Sequence, residues 1–114
     1  MKNYEIGIHA EKIALSILHD YQIIGQRIKT KFGEIDILAK KNDAFYIFEV
    51  KSRKTQIDAL ECLNKRQIQR CIDAFFSWAQ KTQTVYNQIF IKLITVVNHQ
   101  PKIVDINILD FIDS

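Results

Sequence analysis

The sequence predicts an α/β fold of one domain spanning residues 1–114: a mixed β-sheet flanked by helices, with elements in the order αβββαββ. Three observations carry this expectation. Ile6, Ala10, Ile13, Ala14, Ile17 and Tyr21 recur at helical spacing. Two β-type runs flank Asn42-Asp43, and a second helical stripe in the middle of the chain gives way to strict alternation after Tyr86. Helices separated by runs of strands fit a sheet covered by helices.

Taken in order, residues 4–20 read as an amphipathic helix and residues 22–29 as a first strand, which turns through Thr30-Lys31-Phe32-Gly33. Ile35, Ile37 and Ala39 then alternate with Glu34, Asp36, Leu38 and Lys40, and Phe45 to Val50 is rich in aromatic and branched residues. Asn and Asp tolerate the left-handed backbone of tight turns, so Lys41-Asn42-Asp43-Ala44 closes a hairpin by a two-residue turn or a four-residue loop about the same centre. Either pairs Leu38 with Ile47, Asp36 with Glu49, and Glu34 with Lys51. Residues 57–80 read as one long helix whose buried side carries Ile57, Leu60, Ile68, Cys71, Ile72, Phe75 and Ala79. Residues 86–97 read as a long strand and 102–107 as a shorter one, with Pro101 in a turn-like stretch from Asn98.

Composition narrows the class. With 114 residues, 47% hydrophobic and 25% charged, the chain is long enough for a core and neither disordered nor membrane-spanning in character. Residues 1–5 run into the first helix without a signal-peptide apolar region, which makes the cytoplasm the expected location. Cys62 and Cys71, placed on one helix, would lie about 13.5 Å apart and beyond disulfide reach. His9, His19 and His99 are scattered without zinc spacing.

The hairpin holds the chemistry. Carboxylates directly opposed on two strands lie about 4.5–5.5 Å apart and repel, so Asp36 and Glu49 call for a cation between them. Mg²⁺ or Mn²⁺ meets that need with oxygen ligands and retained waters. Lys51, two residues beyond Glu49, returns to the same face and could orient the attacking water. The other reading of these residues is a solvated charge cluster on an exposed sheet face. Glu11 sits at the edge of the first helix's apolar stripe, as a boundary residue or as a further carboxylate. The net charge of +3 excludes a general polyanion sponge, but Lys29, Lys31, Arg53, Lys54, Lys65, Arg66 and Arg70 flank the motif and are candidates for phosphate contacts.

Gly7, Ala10-Glu11 and Ala14, then Gly33-Glu34-Ile35-Asp36, then Phe48-Glu49-Val50-Lys51-Ser52-Arg53 resemble, in that order, the YraN family of small bacterial proteins. That family looks like a branch of the PD-(D/E)XK nucleases, close to Holliday-junction resolvases. The resemblance implies a restriction-endonuclease-like fold and cleavage of branched or structured DNA. It further implies Asp36, Glu49 and the Val50 carbonyl as ligands of Mg²⁺ or Mn²⁺, Lys51 as the catalytic lysine, Glu11 as an accessory carboxylate, and a homodimer. Gln26-Arg27 stands where the family commonly has Arg-Asn, the loop after the second motif lacks glycine, and the family's helical Lys falls at Asn64 or Lys65. An adaptor that binds nucleic acid without cutting, and a protein-interaction domain, are the competing readings.

Overall fold

A computed structural model describes residues 3–107, with side chains from Glu5 onward. Its elements are α1 (Asn3–Leu15), β1 (Gln22–Thr30), β2 (Gly33–Lys41), β3 (Ala44–Ser52), α2 (Gln56–Glu61), α3 (Lys65–Thr82), β4 (Gln88–Val97) and β5 (Gln100–Asp105). The strands form one sheet in the order β1-β2-β3-β4-β5. Only the β3–β4 pair is parallel. That pair needs a crossover, which α2 and α3 supply. The mixed sheet with helices is the architecture expected from the sequence.

Each face of the sheet has its own core. On one face Ala10, Ala14 and Leu18 pack with Ile37, Ala39, Phe48, Ile94 and Val96. On the other, Ile68, Cys71, Ala74, Phe75 and Ala79 of α3 cover Ile35, Leu38, Phe45, Ile47 and Ile91. Phe48 and Phe75, one in each layer, are fully buried. No helix among the described residues is long and apolar enough to cross a membrane.

Several boundaries depart from the sequence expectation, each for a local reason. The first helix ends at Leu15 and not at residue 20, because the N–H groups of Ser16, Ile17 and Leu18 each bond a carbonyl three residues back and tighten the chain into a turn. The expected helix 57–80 is broken into α2 and α3. Thr55 caps α2 by accepting from the Asp58 N–H, and Asn64 caps α3 by accepting from the Gln67 N–H. Ile57 and Leu60, expected on the buried side, are 67% and 40% exposed. Cys62 ends α2 while Cys71 lies in α3, so the single-helix spacing does not apply, although both thiols are free. The last two strands start at Gln88 and Gln100, later and earlier than expected. Pro101 therefore lies within β5, an edge strand where a missing N–H is tolerated, and the turn is Asn98-His99.

Candidate metal centre

The β2–β3 hairpin fixes the site. Asn42 and Asp43 take φ of 50° and 65°, closing the two-residue turn, and Leu38 faces Ile47 as the spacing requires. The ladder then stops at Ile37–Phe48, one step short of the expected Asp36–Glu49 pair. Glu34 does not face Lys51 either; it lies opposite Lys29 of β1. Continued at the same register, Val50 would face Ile35. Its N–H instead donates to Asp36 Oδ2 at 2.9 Å, so a side-chain carboxylate replaces a strand partner.

A local twist explains the break. Ile37 and Ala39 belong to the core under α1, but Ile35 joins Leu38 in the core under α3, so the two-residue alternation fails across Asp36. The β1–β2 ladder likewise passes from Gln26–Ile37 to Ile28–Ile35, skipping Arg27, whose φ is 48°. A non-glycine residue in that conformation is costly and is held here by its surroundings.

On the α3 side lies Glu49, 1% exposed. Arg70 Nη2 is 3.3 Å from both of its oxygens, Lys51 Nζ is 3.7 Å from Oε2, and the Cys71 thiol donates to Oε1 at 3.3 Å. Gly33 makes room for this arrangement. A Cβ on it would lie 2.9 Å from Arg70 Nη1 and 3.0 Å from Cδ, and its φ of +124° suits glycine alone.

On the α1 side lies Glu11, its side chain 8% exposed. Arg27 Nε and Nη2 both sit 2.8 Å from Oε2, while Oε1 is buried without a hydrogen-bond partner. Gly7, one turn earlier on α1, allows the close approach, since a Cβ there would stand 3.3 Å from Arg27 Nη2. Two glycines thus each accommodate the arginine that holds a buried carboxylate.

Asp36 lies between the two carboxylates and feels both sets of cations. Burial raises its pKa, opposed first by the Val50 N–H and then by Lys51, Arg70 and Arg27. Burial also raises Glu49 and Glu11, and the Asp36 charge pushes both further, against Lys51 and Arg70 for Glu49 and against Arg27 for Glu11. Burial, with Glu49 beside it, drives the Cys71 thiol far upward, which keeps it protonated and inert as a nucleophile. Glu11, Arg27, Asp36, Val50, Lys51 and Arg53 line a cleft of about 510 Å³.

These groups suit a hard divalent ion: oxygen donors, mutual repulsion that a cation relieves, and one orphaned carboxylate oxygen. Among the described residues no three His, Cys, Asp or Glu side chains are gathered tightly enough to enclose an ion. An ion here would have to complete its coordination from backbone carbonyls and water.

The basic residues singled out in the sequence are dispersed. Only Lys51 and Arg53 line the carboxylate cleft. Lys29 and Lys31 line a groove with Trp78 and Lys81, while Lys65, Arg66 and Arg70 line another with Phe32. Arg53 and Lys54 line a fourth with His9 and His99. Sequence reasoning missed Arg27 and Cys71. Arg27 was accessible in principle: counting back from a two-residue turn at Lys31-Phe32 sets it opposite Asp36.

Fold and site together define a mixed α/β protein with a carboxylate-lined cleft at the open end of its motif hairpin. The chain belongs to the uncharacterised protein family UPF0102, whose model matches residues 10–99. This is the family, also called YraN, that the motifs resemble. A UPF0102 protein of Bradyrhizobium sp. (strain BTAi1) is 42% identical over 77 residues, covering 66% of this chain and 57% of that protein. One from Rhodopseudomonas palustris (strain BisA53) is 39% identical over 77 residues, 66% of this chain and 59% of the other. One from Granulibacter bethesdensis is 44% identical over 70 residues, 60% of this chain and 44% of the other. The chain thus spans less than three fifths of the length of these relatives.

Proposed function

We propose that the protein is a metal-dependent DNA endonuclease of the PD-(D/E)XK type, with a restriction-endonuclease-like fold, acting on branched or structured DNA. The observation that carries this reading is that Glu11 and Asp36 line one cleft with Lys51, while Glu49 is buried close enough for the Asp36 charge to raise its pKa, and all three carboxyls are desolvated. Structural ion pairs alone would lower carboxylate pKa values; here burial wins, joined at Glu11 and Glu49 by the Asp36 charge, a pattern that clusters at functional sites.

Asp36, Glu49 and the Val50 carbonyl would hold Mg²⁺ or Mn²⁺, with Glu11 Oε1 contributing directly or through water. A bound ion of this kind lowers the pKa of its water and neutralises charge on the scissile phosphate. Lys51, 18% exposed in its side chain and tethered to Glu49, orients the attacking water. Arg53, on the cleft wall, receives a phosphate oxygen. Arg27 and Arg70 act through the carboxylates they hold, keeping them charged and aimed. A homodimer would offer two such clefts to two strands of a junction.

Cleavage of labelled four-way junction, fork, single-stranded and duplex DNA, with Mg²⁺ or Mn²⁺, tests the reading. The expected result is metal-dependent cleavage lost in both Asp36→Ala and Glu49→Ala. Salt-sensitive binding with no product under any metal condition would point to a non-cutting adaptor, and absence of binding would sink both.

A further inference from the structure

A second cleft, of about 450 Å³, adjoins the carboxylate cleft. The two share Ile6, Ala10, Ser52 and Arg53 in their walls, so they meet where β3 ends. Their chemistry differs. The first sets Glu11 and Asp36 among Arg27, Lys51 and Arg53; the second has no carboxylate among its described lining residues and carries Arg53, Lys54, His9, His99 and Asn98 over an apolar floor of Ile13 and Val96.

The fold assembles this second cleft from three separate segments. Arg53 and Lys54 follow β3, and the Arg53 N–H bonds the Val96 carbonyl, which ties the chain to the end of β4. Asn98 and His99, with φ of 51° and 62°, form the left-handed β4–β5 turn. His99 then meets His9 of α1 edge to face, with ring centroids 5.5 Å apart. Two imidazoles, a guanidinium, an ammonium and an amide thus rim one apolar-floored cleft next to the metal centre.

We infer that this cleft receives the nucleotide adjoining the cleaved phosphodiester. Its phosphate lies against Arg53 and Lys54 with imidazole N–H groups of His9 and His99 as further donors, and its sugar and base rest on Ile13 and Val96. Arg53, common to both clefts, bridges the scissile phosphate and its neighbour. The inference rests on the nuclease reading and assigns the direction in which the strand leaves the metal site. It runs past the β4–β5 turn, away from the grooves of Lys29, Lys31 and Lys65. Aromatic-poor floors of this kind select little sequence, so recognition here is of the backbone.

The protein holds three histidines, and His19, whose side chain is 80% exposed beside Asp20, serves as an internal control. The test is a titration of the intact, metal-free protein with the dinucleotide TpT and, separately, with inorganic phosphate, following the three imidazole Hε1 resonances. TpT should shift His9 and His99 saturably and leave His19 unmoved, and inorganic phosphate should bind at least tenfold more weakly. Histidines unmoved by TpT would overturn the subsite, as would phosphate matching TpT, which marks a free-anion site. Lys54→Ala should weaken oligonucleotide binding alike for all sequences and reduce the salt slope by about 1; an unchanged slope would contradict the assignment. If Asp36→Ala abolishes cleavage while the histidines stay unmoved, the subsite alone fails. If no nucleic acid binds or is cut, the nuclease reading fails with it.

Discussion

The two arginine-held carboxylates, Glu11 in the cleft wall and Glu49 buried against α3, differ in what remains available to a cation. Glu49 is saturated: Arg70 lies 3.3 Å from both oxygens, and Lys51 and the Cys71 thiol take up the rest. Glu11 is half satisfied, with both Arg27 bonds on Oε2 and Oε1 left buried and bare. A buried acceptor without a partner costs about 1–3 kcal/mol. The structure tolerates that cost at the helix and not at the strand. On the proposed metal reading, Glu11 offers an open oxygen to an ion, and Glu49 would have to release a guanidinium to bind one.

The sharpest break of this comparison is kinetic. Glu49→Gln and Asp36→Asn should each lower kcat/KM for DNA cleavage by about 10³-fold or more, on the scale of losing a principal transition-state stabiliser. Glu11→Gln should cost roughly tenfold, about 1.4 kcal/mol, because it removes one supporting oxygen. Equal losses at Glu11 and Glu49 would erase the distinction between the corners.

The glycines give the next largest contrast. Gly33→Ala meets both a positive φ and an Arg70 contact under 3 Å, so urea unfolding should show a loss of about 1–3 kcal/mol. Gly7→Ala sits in α1, where Ala is favoured by up to about 1 kcal/mol, against a contact of 3.3 Å with a flexible guanidinium tip. It should change stability by less than about 0.5 kcal/mol. A large loss at Gly7 would mean that the Glu11 corner is as rigid as the Glu49 corner.

The pH dependence is smaller and its sign is set. All three carboxyls have raised native pKa values, so between the ordinary carboxylate range and those values the folded protein holds protons that the unfolded chain has released. Their contribution to stability is therefore present at acid pH and lost as pH rises through that window. Asp36→Asn keeps an oxygen for the Val50 N–H and removes the central charge. It should stabilise the protein by about 1 kcal/mol near neutral pH, as relief of functional-site strain commonly does. The difference in urea midpoint between variant and wild type should vanish toward pH 4. A variant less stable than wild type at pH 7 would show that the cations outweigh burial at Asp36.

Much of this was legible in the residues. The Asn42-Asp43 turn fixed the register through Leu38–Ile47, and Asp36, Val50 and Lys51 share one cleft, whereas Glu49 is buried against α3. What the spacing could not show was the twist at Asp36, because it depends on Arg27 of a neighbouring strand adopting a left-handed backbone. The helix break at Cys62–Asn64 was hidden because apolar residues keep their period across it, although Asn64 is itself a capping residue. The basic residues looked like one patch because proximity in sequence says little about which groove a side chain enters. His9 and His99, ninety positions apart, became neighbours only through the fold.

The most direct measurement is calorimetric titration of Mn²⁺ into the wild-type protein and into Asp36→Asn, each in two buffers of different ionisation enthalpy. Carboxyls with raised pKa values must give up protons to take a cation, so binding to wild type should release protons at pH values within that raised window and be lost in Asp36→Asn. Absence of Mn²⁺ binding to the wild type, or equal binding to the variant, would contradict the metal centre at this cleft.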